Sequence, residues 1–130
     1  MIDLKTTLSP MRMILSHKEP IELEIEMINN SNKTQMVSLD IYLGERIGFD
    51  KGGRNTFLSK KILEFKPGER TRNYYNIYPR VNVERGIETI RIELNEHFNN
   101  SFQYIQSKKV KELSFRIEWI TSLNEILKVN

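Results

Sequence analysis

The chain has 130 residues, room for one domain with a single two-layer core and no more. It lacks cysteine, which excludes a disulfide framework and thiolate metal sites. Its 20 basic and 17 acidic side chains are interspersed and leave a net charge of only +3, the balance of a solvated mixed surface rather than of a one-sided nucleic-acid binder.

Alanine is absent while Ile, Asn, Lys and Glu are abundant, so the best helix former is withheld and β-branched residues take its place. Charges recur through the first thirty residues (Asp3, Lys5, Arg12, Lys18, Glu19), and no apolar run reaches the length of a signal h-region or a membrane span. The expectation is a cytoplasmic chain without membrane insertion.

In chain order, Ile2 to Leu8 alternates as a first strand, which Ser9-Pro10 ends or kinks because proline offers no donor to a sheet ladder. Met11 to Leu15 resumes it as an edge segment, and Ser16 to Pro20 is a turn. Ile21, Leu23, Ile25 and Met27 then alternate with Glu22, Glu24 and Glu26, placing four apolar residues on one pleat face and three carboxylates on the other. Arg70 and Arg72 are the expected cross-strand partners of those carboxylates. Asn29 to Lys33 supplies turn chemistry, and Val37, Leu39, Ile41 and Leu43 repeat the alternation against Ser38, Asp40 and Tyr42.

Gly44 to Thr56 is the longest irregular stretch, with four glycines. Ile47 and Phe49 are its only apolar anchors, which predicts a mobile loop suited to carrying function. Lys60 to Pro79 reads as a hairpin around a type II turn at Lys66-Pro67-Gly68-Glu69, with Pro67 fixing φ and Gly68 accepting positive φ. Ile87 to Glu96 alternates with Ile90, Ile92 and Leu94 inward, and Asn99-Asn100 turns the chain. Phe102 to Ile105 is a short strand, Lys108 and Lys109 mark a solvated connection, and Leu113, Phe115, Ile117 and Trp119 form a last apolar face with the sole tryptophan in the core. Ser122 is a candidate cap for a short helix over Leu123, Ile126 and Leu127, the alternative being a frayed tail.

Seven to nine strands spaced by turns predict an all-β chain, one antiparallel sandwich of immunoglobulin-like size spanning residues 1–130. Four stretches carry a resemblance: Ile21 to Ser31, Leu63 with Pro67-Gly68-Glu69, Tyr74 to Pro79, and Gly86 to Glu93. Together they are similar to the immunoglobulin-like accessory domains grouped as the cell-adhesion-related domain found in bacteria and archaea. That resemblance implies a binding or spacer module with no active site. On the family's register Arg72, Tyr74, Asn76 and Tyr78 face out while Tyr75 and Ile77 face in.

Motifs for chemistry are weak. Gly48 to Arg54 could cradle an anion with backbone N–H groups, Lys51 and Arg54, but no Gly-Lys-Ser/Thr follows and a loop using glycines for positive φ explains it better. His17 and His97 have no spacing that would pair them on a metal, and no Gly-x-Ser-x-Gly elbow is present. Neither a catalytic site, a cofactor nor a metal is therefore expected. The expected function is non-catalytic binding of another protein or of a second copy, through Arg72, Tyr74, Tyr78 and Arg80 with Phe49, Lys51 and Arg54. The alternative is a nucleic-acid-binding β-domain using Arg70, Arg72, Tyr74, Tyr78 and Arg80.

Overall fold

Each long alternating segment becomes a strand, because one face of every pleat is apolar and has to be covered. The computed structural model describes residues 2–17, 19–98 and 100–119. Its strands are β1 (Ile2–Ser9), β2 (Arg12–Ile14), β3 (Ile21–Asn29), β4 (Gln35–Leu43), β5 (Ile47–Gly48), β6 (Phe57–Phe65), β7 (Arg70–Pro79), β8 (Gly86–Phe98) and β9 (Ser101–Glu118), with a 3₁₀ turn at Leu15–His17. They form two sheets, β1-β3-β7-β5 and β2-β9-β8-β4-β6. The chain is thus an all-β sandwich of the immunoglobulin-like kind. The helix expected after Ser122 lies outside the described residues.

At the cis Ser9-Pro10 bond the first strand leaves one sheet and β2 joins the other, lying parallel to β9. All other strand pairs run antiparallel. Between the sheets, Leu23, Ile25 and Met27 of β3 face Val37, Leu39 and Ile41 of β4 and Ile90, Ile92 and Leu94 of β8, all buried, as the alternations require. Full burial of such a side chain contributes about 1.5–3 kcal/mol.

Lys66-Pro67-Gly68-Glu69 is the expected turn, with Gly68 at φ 77° and the Glu69 N–H donating to Lys66 O at 3.0 Å. It does not close a hairpin. β6 pairs with β4 while β7 pairs with β3, so the turn carries the chain from one sheet to the other. What sets the crossing is Asn29, fully buried at the end of β3. Its carbonyl accepts the Gly68 N–H at 2.7 Å, its N–H donates to Glu69 O, and its side-chain amide donates to Phe65 O at 2.8 Å and Lys33 O at 3.1 Å.

Three further expectations are corrected. β9 is one continuous strand from Ser101 to Glu118, since β8 pairs with it from end to end and register shifts on either side of His97 absorb the extra residues of β9. Lys108 and Lys109 therefore lie within a strand rather than in a connection. Trp119 follows the last strand residue and is 52% exposed, because the sheet ends beneath it. Gly44 to Thr56 is not irregular throughout, since β5 lies within it and docks on Tyr78 and Pro79 of β7.

The corner yields an ordering of stabilities. Asn29→Ala strands the Phe65 carbonyl in a buried site and should cost roughly 1–3 kcal/mol. Gly68→Ala meets no atom but forces a side chain into positive φ, at about 1 kcal/mol. Urea unfolding of both variants should return that order, and a neutral Asn29→Ala would show that the crossing is held elsewhere.

Candidate functional site

The expected binding face lies on the outer side of the four-stranded sheet, built by β1, β3 and β7. Register places Glu26 opposite Arg72, Glu24 opposite Tyr74 and Glu22 opposite Asn76, so the carboxylate row of β3 meets the basic and aromatic row of β7 as expected. The Arg72 guanidinium donates to Glu26 Oε2 at 2.6 and 3.2 Å and lies 3.7 Å from Glu24, while Arg70 stands 3.9 Å from Glu26. Glu26 is buried beneath them, although its side of the pleat was expected to face water. The Arg72 hydrogen bond, helped by Arg70 and Lys5, holds the Glu26 carboxyl below its ordinary value despite burial. Arg72, Tyr74 and Asn76 are exposed, Tyr75 is half-buried and Ile77 is buried, the register the resemblance implied, but Tyr78 is half-buried. What this face offers a partner is Tyr74, 53% exposed, ringed by charges that already satisfy one another.

The glycine-rich loop folds onto the end of β7. Asp50 accepts the Arg54 and Asn55 N–H groups at 2.9 Å each, the Gly53 N–H donates to Asp50 O, and the Phe49 N–H donates to Asn55 O at 2.7 Å. Those donors, led by Asn55, hold the Asp50 carboxyl below its ordinary value. Gly53 sits at φ 70° against Arg80, where a Cβ would come within 2.7 Å of Arg80 Cα. The backbone N–H groups that could have cradled an anion are turned onto Asp50 instead. Phe49 packs edge-on against Tyr75 at 6.1 Å and is half-buried, whereas Lys51, Arg54 and Arg80 remain exposed. The structure thus brings Tyr78, Arg80 and the loop residues together, while Tyr74 lies further along β7.

The outer side of the five-stranded sheet holds what sequence patterns missed. Ser38 of β4 and His97 of β8, both buried, meet with Oγ 2.6 Å from Nε2, and the other ring nitrogen lies 3.0 Å from the carbonyl oxygen of Tyr104. A carbonyl only accepts, so Nδ1 carries the proton and Nε2 accepts the Ser38 hydroxyl proton. The Asn95 amide donates to Ser38 Oγ and Asp40, each at 3.3 Å. A hydroxyl hydrogen-bonded to an oriented imidazole is the arrangement of an activated nucleophile. Here Phe102 packs edge-on over the imidazole and the Lys61 ammonium lies over Phe102, so the pair is covered and works as a buried polar tie between β4 and β8. No spacing could reveal a contact made across 59 residues.

The same sheet face exposes a run of apolar side chains. Tyr42 and Phe57 are cross-strand partners with ring centroids 5.0 Å apart, and Ile87, Val110 and Ile105 follow on β8 and β9. Arg91, Glu112 and Arg116 lie between them, Arg91 being 2.7 Å from Glu93 and 3.5 Å from Glu112. Among the described residues no group of three His, Asp or Glu could hold a metal ion. An open depression lined by Leu15, Val83, Glu84, Arg85 and Trp119 brings together no nucleophile and base.

Two measurements test this geometry. The folded Glu26 carboxyl titrates below its ordinary value of 4.5, so its stabilisation is complete above that pH and is lost as pH falls through the lower folded value. Arg72→Gln should therefore lose less stability than the parent between about pH 6 and pH 3, read from urea unfolding; Glu93 and Asp50, shifted the same way, add to the acid slope. In hydrogen exchange, the amides of Phe49, Gly53, Arg54 and Asn55 should be protected, contrary to the mobile loop its composition predicts. Asp50→Ala should release those of Arg54 and Asn55.

No family model matches the chain, and no curated protein matches it in sequence. Among solved structures it is similar to a FixG-related protein from Vibrio parahaemolyticus, with TM-score 0.50 and 14% identity over 89% of this chain and 94% of that one. It is also similar to AvmM, which catalyses macrocyclization in alchivemycin A biosynthesis, with TM-score 0.54 and 12% identity over 95% of this chain and 91% of that one. At these identities the likeness is one of fold alone, and the sandwich is what it shows.

Proposed function

We propose that this protein is a non-catalytic binding module that docks another protein on the outer face of its five-stranded sheet. The observation that supports this reading most directly is the exposed Tyr42–Phe57 pair, continued along the face by Ile87 and Val110 and interrupted by Arg91 and Arg116. Aromatic side chains and arginine are the types that carry binding energy at protein interfaces, because they bury large area for few rotors and keep a polar end. The resemblance to bacterial and archaeal accessory domains points the same way. A non-enzymatic role is favoured by the covered Ser38–His97 pair, since a nucleophile has to meet its substrate.

The nucleic-acid reading draws less support. Arg70 and Arg72 lie against Glu24 and Glu26, and Glu22 extends the acidic row beside Tyr74, so a phosphate backbone would meet carboxylates along with guanidiniums. The face around Tyr74, with Arg80 and the loop residues Lys51 and Arg54, serves as the comparison surface.

A partner captured from the native host should lose roughly 30-fold in affinity, about 2 kcal/mol, for Tyr42→Ala/Phe57→Ala. Tyr74→Ala should change it by less than about threefold, the scale of a peripheral contact. Melting curves run alongside should show both variants folded, because these rings are already exposed. The reverse pattern of affinities would return the interface to the four-stranded sheet, and a gain of oligonucleotide binding that falls steeply with salt would favour nucleic acid.

A further inference from the structure

Among the described residues, the five-stranded sheet has one edge left open over most of its length. β2 pairs with β9 only from Arg116 to Glu118, so on the side turned away from β8 the backbone N–H and C=O groups of Ser101 to Phe115 have no strand partner among the described residues. Past the irregularity at His97, register is unbroken from Ser107 to Phe115, long enough to seat one more strand.

The charged side chains along that edge are mostly basic. Lys108, Lys109 and Lys111 stand close together with Arg116 beyond them, and the one acid, Glu112, is 3.5 Å from Arg91. Lys109 and Lys111 pair with Leu94 and Ile92, so they point toward the inner side of the sheet. Lys109 reaches the Ile2 carbonyl at 2.5 Å, Lys108 faces outward to Glu93 at 3.1 Å, and Lys111 has no carboxylate partner among the described residues. Lysines in these positions resist pairing with a like edge. A second copy of β9 lying antiparallel about Val110 would set Lys109 against Lys111, and the other edge strand of this sheet, β6, carries Lys60 and Lys61. The same cations attract a strand of opposite charge, because opposite charges directly across a ladder stabilise it.

We propose that Ser107–Phe115 is a strand-addition site for an extended acidic segment of a partner protein, with carboxylates at alternate positions beside Lys109 and Lys111 and apolar side chains beside Val110. Main-chain hydrogen bonds would hold the segment and the lysines would select it. The proposal rests on the reading of the chain as a binding module but uses a backbone edge in place of the outer face.

The test is fluorescence anisotropy with a labelled, end-capped peptide of alternating Glu and Val, its Lys-Val counterpart, and two Glu-Val versions N-methylated on either alternate set of residues. The Glu-Val peptide should bind and weaken as salt rises, and the Lys-Val peptide should not bind. One methylated version should fail while the other binds, because only alternate N–H groups face β9. Lys111→Glu, checked by melting, should weaken binding about tenfold, the effect of reversing one or two cross-strand charge pairs. Equal binding by both methylated versions would overturn strand addition in favour of charge attraction alone. Absence of Glu-Val binding, or a dimer in sedimentation that excludes the peptide, would overturn the acidic occupant. Tyr42→Ala/Phe57→Ala should bind the peptide as the parent does, so failure of the edge proposal is distinguishable from failure of the docking face.

Discussion

A sandwich has to move its chain between sheets without leaving buried backbone groups unpaired, and here that constraint falls on Asn29. The residue closes β3, accepts the Gly68 N–H, donates to Glu69 O and spends its side-chain amide on the carbonyls that end β6 and lead into β4. Its side-chain oxygen accepts from the N–H and hydroxyl of Ser31, so every polar atom of the residue is used. The ends of four strands from both sheets therefore converge on one buried residue. An apolar side chain there would leave the Phe65 carbonyl dry and without the amide that pairs it.

Two inward lysines close the flanks in a related way. Lys60 of β6 spans the gap to Asn73 Oδ1 of β7 at 2.9 Å, and Lys109 of β9 spans it to Ile2 O of β1. Each stem covers apolar surface while its ammonium reaches an oxygen of the opposite sheet. Charges at these places guard the edges against like-charged strands, and they also tie the sheets together where the apolar core runs out. The two outer faces are arranged differently. The four-stranded sheet neutralises its face internally, with Glu24 and Glu26 against Arg70 and Arg72. The five-stranded sheet buries its polar groups beneath Phe102 at one end and leaves Tyr42, Phe57 and Ile87 exposed toward the other.

What was legible in the sequence is whatever depends on neighbours along the chain. Alternation at Ile21 to Met27, Val37 to Leu43 and Ile87 to Leu94 identified core and solvent faces, because the pleat has a period of two. Pro67-Gly68 identified a turn type, and the carboxylate row Glu22, Glu24 and Glu26 was matched with Arg70 or Arg72 because both segments have a clear parity. What was not legible depends on contacts distant in sequence. A type II turn joins strands of one sheet or of two with the same residues, so the corner was misread as a hairpin. Lys108 and Lys109 look like a connection until β8 is known to be long enough to pair beside them. Parity placed Trp119 in the core, but parity cannot tell where the opposing sheet stops. The glycine-rich loop looked mobile because its order comes from Asp50 accepting two N–H groups and from Gly53 packing against Arg80, neither of which is an apolar anchor.

The candidate site was only half legible for the same reason. Arg72 and Tyr74 stood out as residue types suited to binding, and they do face outward, but residue type says nothing about whether a charge is already spent. Once Glu24 and Glu26 are brought opposite, the guanidinium of Arg72 can leave for a partner only by stranding the buried Glu26 carboxylate, a cost that competes with anything the partner provides. Tyr42 and Phe57 face no such cost. Their rings touch each other and water, so covering them removes apolar surface without breaking an existing ion pair. The strand edge beside Lys111 is similar, since its backbone groups have only solvent to give up. In a fold whose loop is fastened and whose buried hydroxyl is covered, the proposed docking would fall where desolvation is cheap, and the surfaces that meet that condition belong to the five-stranded sheet.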